Sequence, residues 1–392
     1  MFDVIIIGGG VSGINLLRNL RKNIKSLLIT NGKIGKSNSL MAQGGIQIPQ
    51  NNESSKNLMK ADIAISGRGN SKKKLVDIFV NNSVHIGKEL SNLGVHFKKN
   101  LDGEYLKMLA GGCAEKRVLT TDDMLGVKVI KRLVDNIIKN EKNYLEFTHV
   151  TNIELNNDYI SIKAKKINGD IVSLKTKNLC LCCGGTSFYE AQNKKRKTTN
   201  IPNKNHTIRE LCKKLKIKMS EPEFQLQPYG IVCPPLKNRC FPEKVSNFDI
   251  KILDKNKKII CQTNMDRLNI VKKINNTIEK KNYILSENNE KCVEMDISNI
   301  TISEFEYHFP KLFKDFGNQK PSRILISPII HYELSGILVN SKQQTNIPNI
   351  YACGEMAYGI HGKNRLMGLG ILEGMVSSKI CSTHLNNNIK SN

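Results

Sequence analysis

The stretch FDVIIIGGGVSGINLLRNLRK, residues 2 to 22, leaves the chain few ways to begin folding. Val4 to Ile7 form a continuous β-branched run, and Ile14, Leu16, Leu17 and Leu20 recur at a spacing suited to a helix. Gly8, Gly10 and Gly13 fall between them at GxGxxG spacing. A strand, a tight turn and a helix in this order make the first unit of an α/β sheet. Gly8 permits the turn, Gly10 lets the backbone approach a pyrophosphate, and Gly13 lets helix and strand pack closely, while the helix N-terminus turns its positive end toward the anion. The unit predicts dinucleotide binding. KSLLIT, residues 25 to 30, supplies the second strand, but it ends at Thr30 and Asn31, where an acidic residue often binds the adenosine ribose. These two become the candidates to hydrogen-bond a ribose hydroxyl.

Further along, SNSLMAQGGIQIPQ (37–50) is a polar, glycine-bearing loop. LVDIFVNNSVHIGKELSNLGV (75–95) reads as one amphipathic helix ending at Gly94, and TTDDMLGVKVIKRLVDNIIKN (120–140) as another with Asp122 and Asp123 in its first turn. Residues 158 to 187 predict a hairpin turning at Asn168–Gly169–Asp170, then a buried strand that ends at Gly184 and Gly185. From 226 to 324 the text becomes polar and lysine-rich with weak periodicity, the mark of an inserted domain. Residues 1–225 and 325–392 are then two parts of one α/β domain of Rossmann type, interrupted by an α+β unit, and ILEGMVSSKICSTHL forms a closing helix.

Composition closes off other classes. With 392 residues, 39% of them hydrophobic, the chain can bury a substantial core. No run approaches the roughly 18 to 20 apolar residues of a membrane span, and the first apolar segment lacks the basic flank of a signal peptide, so a cytoplasmic location is expected. Eleven cysteines follow no regular spacing and include no pair of CxxC motifs, so reduced thiols are expected and no metal site; Cys180, Cys182 and Cys183 read as part of a buried strand. The net charge of +25 comes from lysines spread along the whole chain, and the one tight cluster, Asn193 to Lys197, reads as a solvated loop rather than a nucleic-acid site.

Taken together, GGGVSG, SNSLMAQGGI, CCGGTS, HYELSGI and GEMAYGIHGKNRLMGLGILEG fall in the order and spacing of the succinate dehydrogenase/fumarate reductase flavoprotein superfamily. Within it the chain resembles the L-aspartate oxidase branch, to which RVLTTDDMLG and CVEMDISNI are also similar. The resemblance covers nearly all of the chain and implies FAD as cofactor, with the inserted region as a cap over the substrate. It places Gly8, Gly10 and Gly13 at the pyrophosphate and Ser37, Asn38, Ser39, Gln43, Gly44 and Gly45 along the flavin. Gly354, Glu355, Gly370, Ile371 and Leu372 close over ribityl and ring, with Gly184, Gly185 and Asp123 also on the cofactor side. Asn38 stands where succinate dehydrogenases carry the histidine that bonds covalently to flavin, so FAD is expected to be non-covalent. Set against the resemblance, the further C-terminal helical domain of the L-aspartate oxidases is expected to be absent, and a partner chain replacing it is one expectation.

The same likeness assigns the chemistry. Members move hydride between flavin and a carbon beside a carboxylate, and Arg365 and His331 match the residues that hold the substrate carboxylates. Two positions depart from the pattern. Gln227, in QLQPYG, replaces a substrate-binding histidine, and the arginine of the cap falls on Leu268, with Arg267 one step away; a one-residue slip on a helix turns a side chain by about 100°. Ala110 occupies the place of a glutamate. The expected activity is dehydrogenation of L-aspartate to iminoaspartate, a first step toward quinolinate and NAD, with oxygen, fumarate or a partner protein accepting the electrons. The alternatives are a related flavoprotein for another carboxylate and a degenerate FAD-binding paralogue.

Overall fold

The computed structural model describes residues 1–232, 236 and 239–389. A seven-stranded sheet runs in the order Tyr144–Leu145, Ser26–Ile29, Phe2–Ile7, Ile171–Leu181, Ile160–Lys166, Thr148–Leu155, and Ile350–Ala352 also pairs with Ile171–Leu181. Phe2–Ile7 lies parallel to both neighbours, with Val4 opposite Ser26 and Asn178. The strands from Thr148 to Leu181 form the antiparallel meander expected around the Asn168–Asp170 turn.

The glycines of the first turn are required by space. Gly8 has φ +119°, and a Cβ there would meet the Cys182 carbonyl oxygen at 2.3 Å; a Cβ on Gly13 would lie 1.9 Å from the Gly8 oxygen. The helix that follows, Val11–Asn19, packs on the closing helix, Leu369–Asn388. Between them the buried Asn15 donates to the Met375 carbonyl at 3.0 Å and the Ser378 hydroxyl at 2.8 Å, so its polar amide is satisfied inside the core.

A second antiparallel sheet orders Phe224–Ile231, Arg323–Glu333, Lys291–Asp296, Lys251–Leu253 and Ile259–Gln262. It has its own apolar core, in which Phe241, Phe305 and Phe309 stack around Tyr229, Ile252 and Ile326. The strands Phe224–Ile231 and Arg323–Glu333 join this lobe to the rest, and Gln227 pairs with Ile329 across them.

Two readings of local structure are corrected. Residues 75 to 95 form two helices, Lys73–Ser83 and Ile86–Asn92. The apolar spacing carries across the break, so periodicity reads one helix, but the second piece turns to set Gly87 against Ile48 and Leu119. Asp122 and Asp123 lie outside the Leu125–Lys139 helix, both with left-handed backbone (φ 54° and 58°), a conformation that aspartate tolerates better than most residues.

Candidate flavin and substrate site

One cavity of about 590 Å³ runs from the ends of the parallel strands to the underside of the second lobe. At its first end Thr30 and Asn31 line the wall beside Lys33, His149 and Lys204. Gly8 and Gly10 open the middle at the first turn of the Val11–Asn19 helix. Ser37, Asn38, Ser39, Gln43, Gly44, Gly45, Gly184, Glu355, Gly370 and Ile371 continue the lining. The far end is closed by Gln227, His331, Tyr332, Arg365 and the segment Arg239–Glu243.

These residues fit FAD on two counts. Gly8 has no room for a side chain, while the helix start beside it offers backbone N–H groups of the kind that bind a pyrophosphate. The walls hold more cations than anions, which suits a dinucleotide phosphate: Lys33, Lys36, Lys204, Arg239 and Arg365 against Glu243 and Glu355. Asn38 accepts from the Ile201 N–H at 3.0 Å and its amide bonds to Asn200, so both of its polar ends are engaged by the loop that covers it. Glu355 accepts from the Glu333 N–H at 2.9 Å; burial, offset by that bond and reinforced by the Glu333 charge, pushes its carboxyl up to about 7.

At the far end Arg365 is buried, and its side-chain Nε has no partner. Its guanidinium lies 4.3 Å from the centre of the Tyr332 ring and donates from Nη1 to the Leu366 carbonyl at 3.3 Å. Among the described residues no carboxylate pairs with it: Glu373 is taken by the Tyr332 hydroxyl at 2.6 Å and His361 Nε2 at 2.9 Å, and Glu355 by the Glu333 N–H. Arg365 is thus a buried cation facing a cavity, the state in which a guanidinium most favours an anionic ligand. His331 hydrogen-bonds Thr199 Oγ1 through Nδ1 at 2.7 Å. Burial, then the charges of Arg365 and Arg267, hold its pKa well below the usual histidine range, so it stands as a neutral imidazole. Gln227 is also buried, and its side-chain carbonyl has no partner.

Six predicted residues lie outside the cavity wall; one of them, Gly354, sits with left-handed backbone against Ser12. Gly13 acts one layer back, by letting the helix approach Gly8. Gly185 faces the Glu355 carboxylate, which a Cβ would meet at 2.4 Å. Leu372 is a core residue, because its place on the closing helix turns it into the apolar layer. Asp123 pairs with Lys244 of the second lobe, since its left-handed backbone aims the carboxylate there. Arg267 begins its helix, which is capped by Asp266 accepting from the Asn269 N–H, and its guanidinium is engaged by Glu243. It also donates from Nη1 to the Arg365 carbonyl at 2.6 Å, so it touches the backbone of the site while Glu243 lines the cavity.

Several residues of the site escaped the sequence reading: Glu243, Thr199, Tyr332, His361 and Glu373. Glu243 carries no local pattern, whereas Tyr332 follows His331 directly and Glu373 lies in the quoted LEG segment. Ala110, in the glutamate's place, is buried with Val118 and Met367.

A fold of this kind, with a cavity that joins a dinucleotide turn to a buried arginine beneath a second lobe, defines an FAD-dependent oxidoreductase. The chain matches the family model described as FAD binding domain over residues 3–228 and 265–371, and it belongs to that family. It is similar to the L-aspartate oxidase of Clostridium acetobutylicum, 27% identical over 99% of this chain and 88% of that one. To the L-aspartate oxidase of Halalkalibacterium halodurans it is 27% identical over 98% of this chain and 72% of the relative. In fold it resembles an E. coli quinol fumarate reductase, with TM-score 0.88 and 18% identity over 98% of this chain and 70% of the other. The protein is thus an FAD-dependent oxidoreductase of that family, similar in fold to a quinol fumarate reductase. Among the described residues no helix is long and apolar enough to cross a membrane.

Proposed function

We propose that the chain dehydrogenates L-aspartate to iminoaspartate. The observation that carries this reading is the buried Arg365 guanidinium, without an ion-paired carboxylate among the described residues, at the end of the cavity away from the dinucleotide turn. Bound FAD supplies the two-electron acceptor for the hydride that leaves the substrate Cα. Gly8 and Gly10 with the helix start would hold its pyrophosphate, Thr30 and Asn31 the ribose, and Asn38 leaves the flavin without a covalent bond.

Arg365 grips one substrate carboxylate bidentately, and its loss of water on burial strengthens that bond. His331, being neutral, adds a hydrogen bond through Nε2, while Gln227 offers an amide N–H to the second carboxylate. The substrate nitrogen gives up a proton as the hydride departs. Glu243, at the cavity wall and paired with Arg267, is the group placed to receive it. Positioning by these groups, rather than any covalent step, is what the chain contributes.

One observation favours a second reading, a substrate with a single carboxylate. Arg239 pairs with Asp315 at 2.6 Å and Arg267 with Glu243, so Arg365 is the arginine at that end without an ion-paired carboxylate among the described residues. A second carboxylate would meet only neutral Gln227 and His331. The test is anaerobic addition of L-aspartate, succinate and L-alanine in turn to the FAD-loaded protein, read at the flavin absorbance. Bleaching by L-aspartate, lost about a hundredfold or more in Arg365→Leu with FAD retained, supports the proposal. Bleaching by L-alanine alone supports the second reading, and an unbleached flavin refutes both.

A further inference from the structure

The buried chain His361–Glu373–Tyr332 has no part in the chemistry above, yet its last member, Tyr332, carries Arg365 on its ring. Glu373 Oε2 accepts from the Tyr332 hydroxyl at 2.6 Å and meets His361 Nε2 at 2.9 Å. His361 also stands edge-on to the Tyr332 ring, with centroids 5.7 Å apart and planes at 78°. All three side chains are buried. The tyrosine ring is thus fixed both at its hydroxyl and along its edge. Its face carries the Arg365 guanidinium at 4.3 Å. On another side lies the backbone of Gly370, where a Cβ would come within 3.5 Å of Arg365 Nη1 and 3.8 Å of the Tyr332 ring.

The backbone of Arg365 is held as firmly. Gln225 accepts from its N–H at 3.1 Å and donates to its carbonyl at 3.2 Å, and Arg267 donates to the same carbonyl. A long arginine loses much rotamer freedom when it is fixed, so a site that fixes it beforehand spares the ligand that cost. The aromatic face supplies the fixing without a counter-charge. A carboxylate in its place would pair with the guanidinium and compete with the ligand; a ring quadrupole attracts the cation and leaves its N–H groups free. The chain supports this division. Burial drives the Glu373 carboxyl up, but His361, the Tyr332 hydroxyl and Arg365 outweigh it and hold it below the ordinary glutamate range. Its carboxylate is bonded to the Tyr332 hydroxyl and His361 rather than ion-paired with the guanidinium.

We propose that Tyr332 is a positioning residue, held by Glu373 and His361 so that its ring sets the Arg365 guanidinium ready for a carboxylate. This inference rests on the reading of Arg365 as a carboxylate grip but not on the identity of the substrate. Its test therefore uses malonate, a dicarboxylate with no carbon–carbon bond between adjacent saturated carbons to oxidise. Malonate binding to the FAD-loaded protein is measured by titration calorimetry, with FAD content and melting temperature recorded for each variant. Tyr332→Leu removes the face and is expected to weaken malonate roughly a hundredfold, while FAD stays bound. Tyr332→Phe keeps the face but frees it from Glu373, and a loss of about tenfold is expected.

A structural role alone would lower the melting temperature without this graded order. If Tyr332→Leu does not fold, Tyr332→Phe and His361→Gln carry the comparison, both expected to weaken malonate. Wild-type affinity in a folded, FAD-loaded Tyr332→Leu, or in both of the milder variants, overturns the proposal. Failure of L-aspartate to bleach the wild-type flavin refutes the substrate assignment alone, because the malonate series still reads the grip.

Discussion

Replacing Lys244 by methionine gives the sharpest test of how the two lobes are held together. Lys244, in the short helix Glu243–Asn247, pairs with Asp123 of the dinucleotide-binding part, and both side chains are buried. The ammonium also lies 5.2 Å from the centre of the Phe309 ring. The second carboxylate oxygen of Asp123 has no partner, so once Lys244 is gone only the weaker influence of Lys98 answers the charge. Removing one member of a buried pair costs about 3–5 kcal/mol, which for a chain of this length lowers the melting temperature by roughly 4–6 °C.

The loss should also depend on pH, and its sign follows from Asp123. Burial raises its pKa above 3.8 and Lys244 opposes the rise; without the lysine the folded value climbs further. Between 3.8 and that folded value the native state binds a proton that the unfolded state has released, so stability falls as pH rises. Lys244→Met is therefore expected to differ little from wild type near pH 4 and to fall progressively behind toward neutrality. Adding Asp123→Asn removes the charge and keeps a residue that tolerates the left-handed backbone, so the double variant should recover most of the loss. Urea unfolding of the three proteins at pH 4.5, 6 and 8 measures it. A pH-independent difference, or one below about 1 kcal/mol at pH 8, would refute the reasoning.

Gly13→Ala sets a methyl group against the Gly8 carbonyl and should cost about 1–3 kcal/mol together with FAD binding; a stable variant that purifies with full FAD would contradict the packing argument. Glu355 is pushed up to about 7 from 4.5, so the FAD-free protein should lose stability as pH rises between these values, and Glu355→Gln should flatten that slope in denaturant titrations at pH 5 and 8. His331 is held neutral, so the pH profile of substrate turnover should contain no limb from its ionisation, and a limb between pH 6 and 8 that vanishes in His331→Gln would show the imidazole to be titrating there.

The dinucleotide turn was readable because its constraints are local: glycines at GxGxxG spacing, with Gly8 and Gly13 limited by backbone a few ångströms away. The meander was readable for a like reason, since period-two alternation and a glycine turn are short-range signals. The two-helix segment from Lys73 to Asn92 was not, because the apolar stripe continues across the break between the helices. Asp123 shows the same limit in the site. Its position before an apolar helix suggests a helix-start acid, and only the fold brings Lys244, 121 residues away, against it. Arg365 and His331 were found through their motifs, yet nothing in those motifs tells that the guanidinium lacks a counter-charge. Arg267 was located in sequence but its pairing with Glu243 was not, for Glu243 lies 24 residues off in an unpatterned segment.

The strands Phe224–Ile231 and Arg323–Glu333 have a mechanical consequence. They are the two struts that carry the upper lobe, and Gln227 and His331 are built into the struts themselves. Arg365 rests on the lower lobe, its backbone clasped by Gln225 from the base of one strut. Glu243 and Arg267, by contrast, ride on the part the struts support. A tilt of the upper lobe would withdraw the proton-handling pair and cut its tether to the Arg365 carbonyl, while the groups that grip the ligand kept their spacing. On the proposed roles of these residues, such a tilt would separate holding from reacting: the hand would stay closed at the pivot, and only the tool would swing away.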